Sequence, residues 1–227
     1  MSIIVGVVII WRPEESRMGP FNHLIKWYQE NMPTAKIYLV DSPQNDWNPA
    51  AARNAGVKQA EQDGCDVVIV NDADTIPEKA PLEQAVMGAF EDGYIHNPYT
   101  KYFVLDKLNT KMFIGGKKIT QCEKTEYKKA LSGVLVSTPA TWWELGGQDE
   151  KFSGWGFEDT AFAWIHQVVK GSFYKRHEGS VFALSHDRMS LRTESFIRNK
   201  KIWYQFYKNN RNKEFLLKFV KKKLNEL

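Results

Sequence analysis

The sequence predicts an α/β fold with a mostly parallel central sheet flanked by helices. Two observations carry this. Strand-length and helix-length segments alternate as strand, helix, strand, helix, strand within the first seventy residues, the pattern of right-handed βαβ units. The strands are also continuous apolar runs, as expected of strands buried on both faces.

Ile3 to Ile10 is the first β-branched run. Phe21 to Asn31 reads as a short helix that Pro33 stops. Lys36 to Val40 is the second strand and ends at Asp41. Asn48 and Pro49 form an N-cap and first-turn pair for a helix running to about Gly64. Val67 to Val70 is the third strand, leading straight into Asn71-Asp72-Ala73-Asp74. Ligands of such sheets sit beyond the carboxyl ends of the strands, where Asp41, Asp72 and Asp74 fall. A helix follows from Leu82 to Asp92. Tyr94 to Gln121 mixes aromatics and lysines around Gly115-Gly116 and shows no clear period. Leu131 to Ser137 is a strand, followed by a helix opening at Pro139. Gly154-Trp155-Gly156 precedes a helix from Glu158 to Lys170, with Gly171 past its end. Ser180 to Ser185 is the last strand, and His186 follows it. From Thr193 the tail is helical, with Leu216, Leu217, Val220, Leu224 and Leu227 on one face.

Composition narrows the class. At 227 residues, 43% hydrophobic and 26% charged, the chain suits one globular domain and excludes disorder, collagen and coiled coil. Cys65 and Cys122 can form neither a disulfide scaffold nor a CxxC zinc site. The longest apolar run, Ile3 to Trp11, is too short to span a bilayer and lacks a basic leader. A cytoplasmic protein without a transmembrane segment is expected. Charge is uneven: Glu194 to Leu227 holds 10 Lys/Arg against 3 acidic residues, Thr100 to Ala130 holds 8 against 3, and the remainder 13 against 21. An acidic body suits a cation, and basic appendages suit an anionic polymer or a membrane surface. Solvated helix faces explain the lysines equally well.

Three constellations bear chemistry. In Asp72-Ala73-Asp74, two carboxylates at i and i+2 can face one hard cation with room for phosphate oxygens; alone, the pair also reads as solvated aspartates in a turn. In Gly154-Trp155-Gly156-Phe157-Glu158-Asp159, two carboxylates open a helix whose free amides and dipole stabilise negative charge. Capping explains the acids, but not the glycines and tryptophan beside them. His186 ends a strand, and from spacing alone a lone histidine is more often structural than a ligand. No P-loop, GxGxxG or Ser/His/Asp arrangement is present.

The order of these parts resembles GT-A glycosyltransferases, closest to the C-terminal catalytic region of the β-1,4-galactosyltransferase type and related family-2-like enzymes. The matching pieces are Ala52-Arg53-Asn54-Ala55-Gly56, Val67 through Asp74, Ser132-Gly133-Val134, and Glu144-Leu145-Gly146-Gly147 with Gly154 through Asp159. They cover roughly residues 3 to 190. The resemblance implies a GT-A, Rossmann-like catalytic domain over 1–193, with a nucleotide-sugar half (1–99) and an acceptor half (100–193), and a basic helical extension over 194–227.

It further implies that Asp74 coordinates manganese or magnesium, with Asp72 holding the donor ribose or the metal and His186 as third protein ligand. Arg12, Asp41 and Arg53 would lie on the donor side. Asp159 would be the general base and Glu158 would bind acceptor or donor sugar. Trp155 would belong to a mobile loop over the donor. One departure stands: the family pattern has a methionine ligand three residues before the histidine, and this chain has Ala183.

The expected activity is metal-dependent transfer from a nucleotide-sugar, most simply a UDP-sugar, to a hydroxyl acceptor with inversion. The acceptors expected are a glycan first, then a hydroxymethylated DNA base, then a protein. The rivals are a retaining transferase of the N-acetylgalactosaminyl kind and a nucleotide-sugar or nucleic-acid binding module without turnover.

Overall fold

A computed structural model of the chain describes residues 3–43, 46–128, 130–187 and 193–222. The first half runs β1 (Val5–Ile10), α1 (Glu15–Asn31), β2 (Lys36–Val40), α2 (Pro49–Gln62), β3 (Val67–Asp72), β4 (Thr75–Pro77) and α3 (Lys79–Asp92). Then come β5 (His96–Asn97), β6 (Lys101–Val104), α4 (Lys107–Ile114), β7 (Thr125–Glu126), β8 (Val134–Ser137) and α5 (Pro139–Glu144). The rest is α6 (Glu158–Lys170), β9 (Lys175–Arg176), β10 (Ser180–Ala183), α7 (Glu194–Ile202), a π-helical turn (Trp203–Tyr207) and α8 (Lys213–Lys221).

The central sheet has the order β2-β1-β3-β8-β5-β9. Five strands point one way and β8 opposes them. Alternate residues of β1 face opposite layers, as the strand period requires. Val7 and Ile9 pack with Phe21 and Leu24 of α1 and Leu82 of α3. Val8 belongs to the other core layer, together with Val57 of α2, Trp142 of α5, Phe162 of α6 and Leu216 of α8. The contact with α2 is so close that a Cβ on Gly56 would stand 2.2 Å from Val8 Cγ1. Only glycine fits there, and its place in the helix fixes the height of Arg53 one turn earlier.

Four features differ from the sequence reading. A second sheet, β4-β10-β6-β7, stands beside the first, built partly from the segment without a clear period. α1 starts at Glu15 and passes through Pro20, which lies inside the helix and is buried; burial of that face outweighs the amide the proline lacks. The strand expected from Leu131 narrows to Val134–Ser137. The tail is two helices, broken near Asn209, whose backbone is left-handed at φ 66°. Leu216 and Val220 are buried and Leu217 packs against the core, while Leu224 and Leu227 lie outside the described residues. Among the described residues, no helix is long and apolar enough to cross a membrane.

Candidate active site

Three chain segments meet at the carboxyl end of β3. The first is the turn after β3, shaped by Asn71. Its Nδ2 donates to the carbonyls of Asp72 (2.7 Å) and Thr75 (2.8 Å), while its Oδ1 accepts from the buried Tyr28 hydroxyl at 2.6 Å. This fixes the direction of Asp72 and Asp74.

The second is α2, which carries Arg53. Arg53 is 4% exposed, and its guanidinium forks between motifs. Nη2 donates to Asp72 Oδ1 at 2.9 Å, and Nη1 donates to Asp159 Oδ1 and Gln148 Oε1, both at 2.9 Å. Glu158 Oε1 is farther, at 3.5 Å. Next to it, Asn54 Nδ2 donates to the Gln148 carbonyl, and its Oδ1 accepts from Trp142 Nε1 and the Gln148 amide. The Ala52–Gly56 and Glu144–Gly147 pieces are thereby joined. Asn54 and Gln148 position Arg53, a role that sequence spacing does not reveal.

The third is the loop 153–157 before α6. Gly154 and Gly156 have φ of 73° and 102°, and Phe157 is left-handed at 74°. A Cβ on Gly154 would stand 2.5 Å from Ser195 Oγ, and one on Gly156 2.9 Å from the Phe196 ring. The loop thus needs glycine twice over, for its dihedrals and for the approach of α7. Asn199 of α7 donates to the carbonyls of Ser153 and Gly156 at 3.0 and 3.1 Å. Trp155 stacks on Phe196 (centroids 5.6 Å apart) and stays half exposed.

The carboxylates divide into two groups. Burial, then the adjacent Asp159 carboxylate, pushes Glu158 up to about 8, so it holds a proton at neutral pH. Asp159 faces Arg53 directly. Its partners among the described residues, Arg53 and a long contact from Gln148 (3.5 Å), both fall on Oδ1, which leaves Oδ2 open to a further donor. Burial also raises Asp72, helped by Asp159 and Asp74 and opposed by Arg53.

On the other side of the turn, Asp74 Oδ2 lies 2.9 Å from His186 Nε2 and 3.1 Å from Arg17 Nη2. Burial would raise this carboxyl, but the His186 hydrogen bond and the Arg17 charge hold it below its usual range. The Asp187 carbonyl can only accept, so His186 Nδ1 donates to it at 2.7 Å, while Nε2 donates to the Asp74 carboxylate; that hydrogen bond raises the histidine above its usual range and favours the imidazolium. Adjacent octahedral ligands about 2.1 Å from a small divalent cation stand about 3 Å apart. The 2.9 Å separation is that of a hydrogen bond as well as of two adjacent ligands, so a cation would have to replace the Nε2 proton; an anionic oxygen beside an imidazole nitrogen is a donor set that suits a divalent first-row metal. Asp72 is turned to Arg53 instead, and among the described residues no three His, Cys, Asp or Glu side chains gather at one point. Water or phosphate oxygens would have to complete the shell. Ala183, where the family pattern has methionine, pairs with Thr75 in the second sheet.

Arg12 and Asp41, at the ends of β1 and β2, pair with each other: Arg12 Nε donates to both Asp41 oxygens at 2.9 and 3.0 Å. Trp47 covers the guanidinium at 5.3 Å. This group flanks the site at the edge of the sheet. Arg17, absent from the sequence reading, sits in the first turn of α1; its signal was hidden because that turn was not recognised as helix.

A family model described as the N-terminal domain of galactosyltransferase matches residues 118–187, under a third of the chain but spanning the 153–157 loop, α6 and His186. The chain is similar to a xylosylprotein 4-β-galactosyltransferase of Caenorhabditis elegans, 24% identical over 162 residues, which are 69% of this chain and 47% of that protein. It thus spans about half the length of the curated relative it matches. Among solved structures it is similar to the catalytic domain of Drosophila β1,4-galactosyltransferase 7 in complex with xylobiose, with TM-score 0.59, 13% identity, and 88% of this chain and 80% of that one covered. A mutant of the Drosophila enzyme with manganese, UDP-Gal and xylobiose gives 0.53 at 13% identity over 97% and 81%. GalNAc-T7 with UDP, GalNAc and Mn2+ gives 0.57 at 13% identity over 96% and 54%. The fold is the GT-A glycosyltransferase fold, and the resemblance to galactosyltransferases holds in sequence and in architecture.

Proposed function

We propose that this chain is a divalent-cation-dependent glycosyltransferase that moves a sugar from a UDP-sugar onto a sugar hydroxyl with inversion. The observation that carries the reading is the Arg53 fork, which joins Asp72 of the Asp-x-Asp turn to Asp159 of the glycine loop. Asp159 Oδ2 takes the proton of the acceptor hydroxyl as its oxygen attacks the anomeric carbon and the bond to the diphosphate breaks. Glu158, protonated, acts as a hydrogen-bond donor beside it, so one carboxyl serves as base and the other as acid partner. Asp74 and His186 would hold the cation, which when bound neutralises the charge of the departing diphosphate. Arg17, against Asp74, adds a positive group on the diphosphate side. Trp155 offers its exposed ring to a sugar.

The manganese and UDP-sugar of the solved neighbours support the donor and cofactor reading, and the xylobiose of the Drosophila complexes supports a glycan acceptor. A second reading, retention as expected of the N-acetylgalactosaminyl kind, draws on the likeness to GalNAc-T7. The test is a screen of UDP-sugars for UDP release with manganese, with and without acceptor sugars, and the anomeric configuration of the product by NMR. Inversion supports Asp159 as base; retention favours the second reading. Binding of UDP-sugars without any UDP release leaves a binding module.

A further inference from the structure

All nine basic residues of the described tail, 193–222, are exposed, against two exposed acids. Its apolar side is already used: Ile202, Tyr207, Leu216, Phe219 and Val220 are buried in the core. Arg198 is tied to Ser153 and Arg211 lies over the Trp164 ring, but Lys200, Lys201 and Lys208 have no acidic partner among the described residues. The tail's positive face is not purely ionic. Ile197, Lys200, Lys201 and Tyr204 line one shallow hollow along α7 and the turn after it, the i, i+3, i+4, i+7 stripe of a helix. Ile197 and Tyr204 are each 52% exposed. Lys200 and Lys208 Nζ lie 5.9 and 4.3 Å from the Tyr204 ring centroid, so the ring and the amines form one surface. Phe215 on α8 is 41% exposed as well.

We propose that this face docks on a bilayer surface bearing anionic headgroups. Lysines would meet lipid phosphates, while Ile197 and Tyr204 enter the headgroup layer, where an amphipathic ring and an aliphatic chain find a mixed environment. A soluble polyanion would satisfy the amines but leave both apolar groups in water, which is why the membrane is the occupant favoured. Phe196, next to Ile197, stacks on Trp155, so the docked face adjoins the glycine loop of the candidate site. The docking does not depend on the transferase reading.

The experiment is flotation of the full chain with vesicles of phosphatidylcholine alone and of phosphatidylcholine mixed with phosphatidylglycerol, with heparin as the soluble polyanion. Of the two vesicle types, only the mixed vesicles are expected to bind, while heparin engages the lysines alone. Lys200→Ser with Lys201→Ser should weaken vesicle binding roughly thirtyfold, since each lysine near an anionic surface contributes about fivefold. Ile197→Ser with Tyr204→Ser should also weaken vesicle binding, yet leave heparin binding unchanged. All four positions are exposed, so unchanged thermal melts will show that the variants fold. Absence of binding to mixed vesicles overturns the proposal. So does a wild-type chain that binds heparin and vesicles alike, with neither responding to the Ile197 and Tyr204 substitutions. UDP release, measured without vesicles, reports on the transferase reading separately.

Discussion

Arg53 Nη1 lies 2.9 Å from Asp159 Oδ1 while the other arm of the same guanidinium reaches Asp72. The two carboxylates come from opposite halves of the chain, and one buried cation holds both. Arg53→Met leaves Asp72, Glu158 and Asp159 facing one another without it. Removing one partner of a buried pair typically costs about 3–5 kcal/mol, so the urea midpoint should fall steeply. Arg53→Lys restores the charge but not the fork, so it should fold better than Arg53→Met and still release little UDP. A wild-type midpoint for Arg53→Met would remove the clamp from the account.

Asp159→Asn should lower transfer by about two to four orders of magnitude, the usual contribution of a general base, with UDP-sugar affinity retained. Glu158→Gln should keep most of the transfer rate at neutral pH, because Glu158 already carries its proton there and glutamine reproduces the protonated shape. The contrast decides the roles. Equal losses in both variants would assign the chemistry to neither, and normal transfer by Asp159→Asn with a lowered melting temperature would make Asp159 a helix cap.

Much of this was legible in the sequence, for identifiable reasons. β1 and β3 are unbroken β-branched runs, and Asn48-Pro49 announced α2, whose Asn48 Oδ1 accepts from the Ala51 amide at 3.0 Å. The Asp-x-Asp turn and the glycine loop showed as polar breaks at the ends of elements. The segment from Tyr94 to Gln121 did not, because its strands β5 and β6 are two and four residues long and α4 only eight, too short to show a period. The Arg53 fork was invisible for another reason: it joins residues 19 and 106 positions apart. Arg17 was lost with the first turns of α1, which starts at Glu15 whereas the sequence placed the helix from Phe21. Local pattern finds elements; only packing shows which charged ends meet.

The Asp74–His186 pair makes a metal prediction. Asp74→Asn should abolish manganese-dependent UDP release, since a neutral amide replaces an anionic oxygen facing cation and diphosphate. His186→Ala should weaken manganese binding, read directly by calorimetry, without abolishing it, because one ligand of several is lost. Full activity of Asp74→Asn in the presence of EDTA would contradict the assignment.

His166 makes a pH prediction independent of the site. It is fully buried, its Nδ1 lies 2.8 Å from the Ser172 carbonyl, and its Nε2 accepts from the Ile95 amide at 3.2 Å. Protonating Nε2 would set N–H against N–H. Burial lowers this histidine to about 4 from 6.5. The unfolded chain therefore takes up a proton that the folded one refuses between those values, and stability present above pH 6.5 is lost as pH falls towards 4. The loss should reach at most about 3 kcal/mol from this group. His166→Gln, which keeps a donor and an acceptor without titrating, should flatten that part of a urea-midpoint profile against pH.

Lys151 decides whether the tail is part of the domain. Its side chain is 2% exposed and its ammonium lies 2.7 Å from Asp149 Oδ1. The same ammonium donates to the carbonyls of Phe219, Lys222 and Val220 at 2.6, 3.1 and 3.3 Å. These carbonyls belong to the end of α8, where acceptors lack intrahelical partners and the dipole is negative. Asp149 accepts in turn from the Tyr207 hydroxyl, so one buried ion pair anchors both parts of the tail. Lys151→Met should cost about 3–5 kcal/mol, because Asp149 and three carbonyls lose their cation together. It should also loosen α8 before the rest, since Leu216 and Phe219 then rest on packing alone. Limited proteolysis near Asn209, where the chain is exposed and left-handed, reads that loosening directly. Adding Asp149→Asn to Lys151→Met should recover part of the stability, because the double variant leaves no unpaired buried charge. If Lys151→Met instead matches the wild type in both midpoint and proteolysis, the tail is held by its apolar face alone.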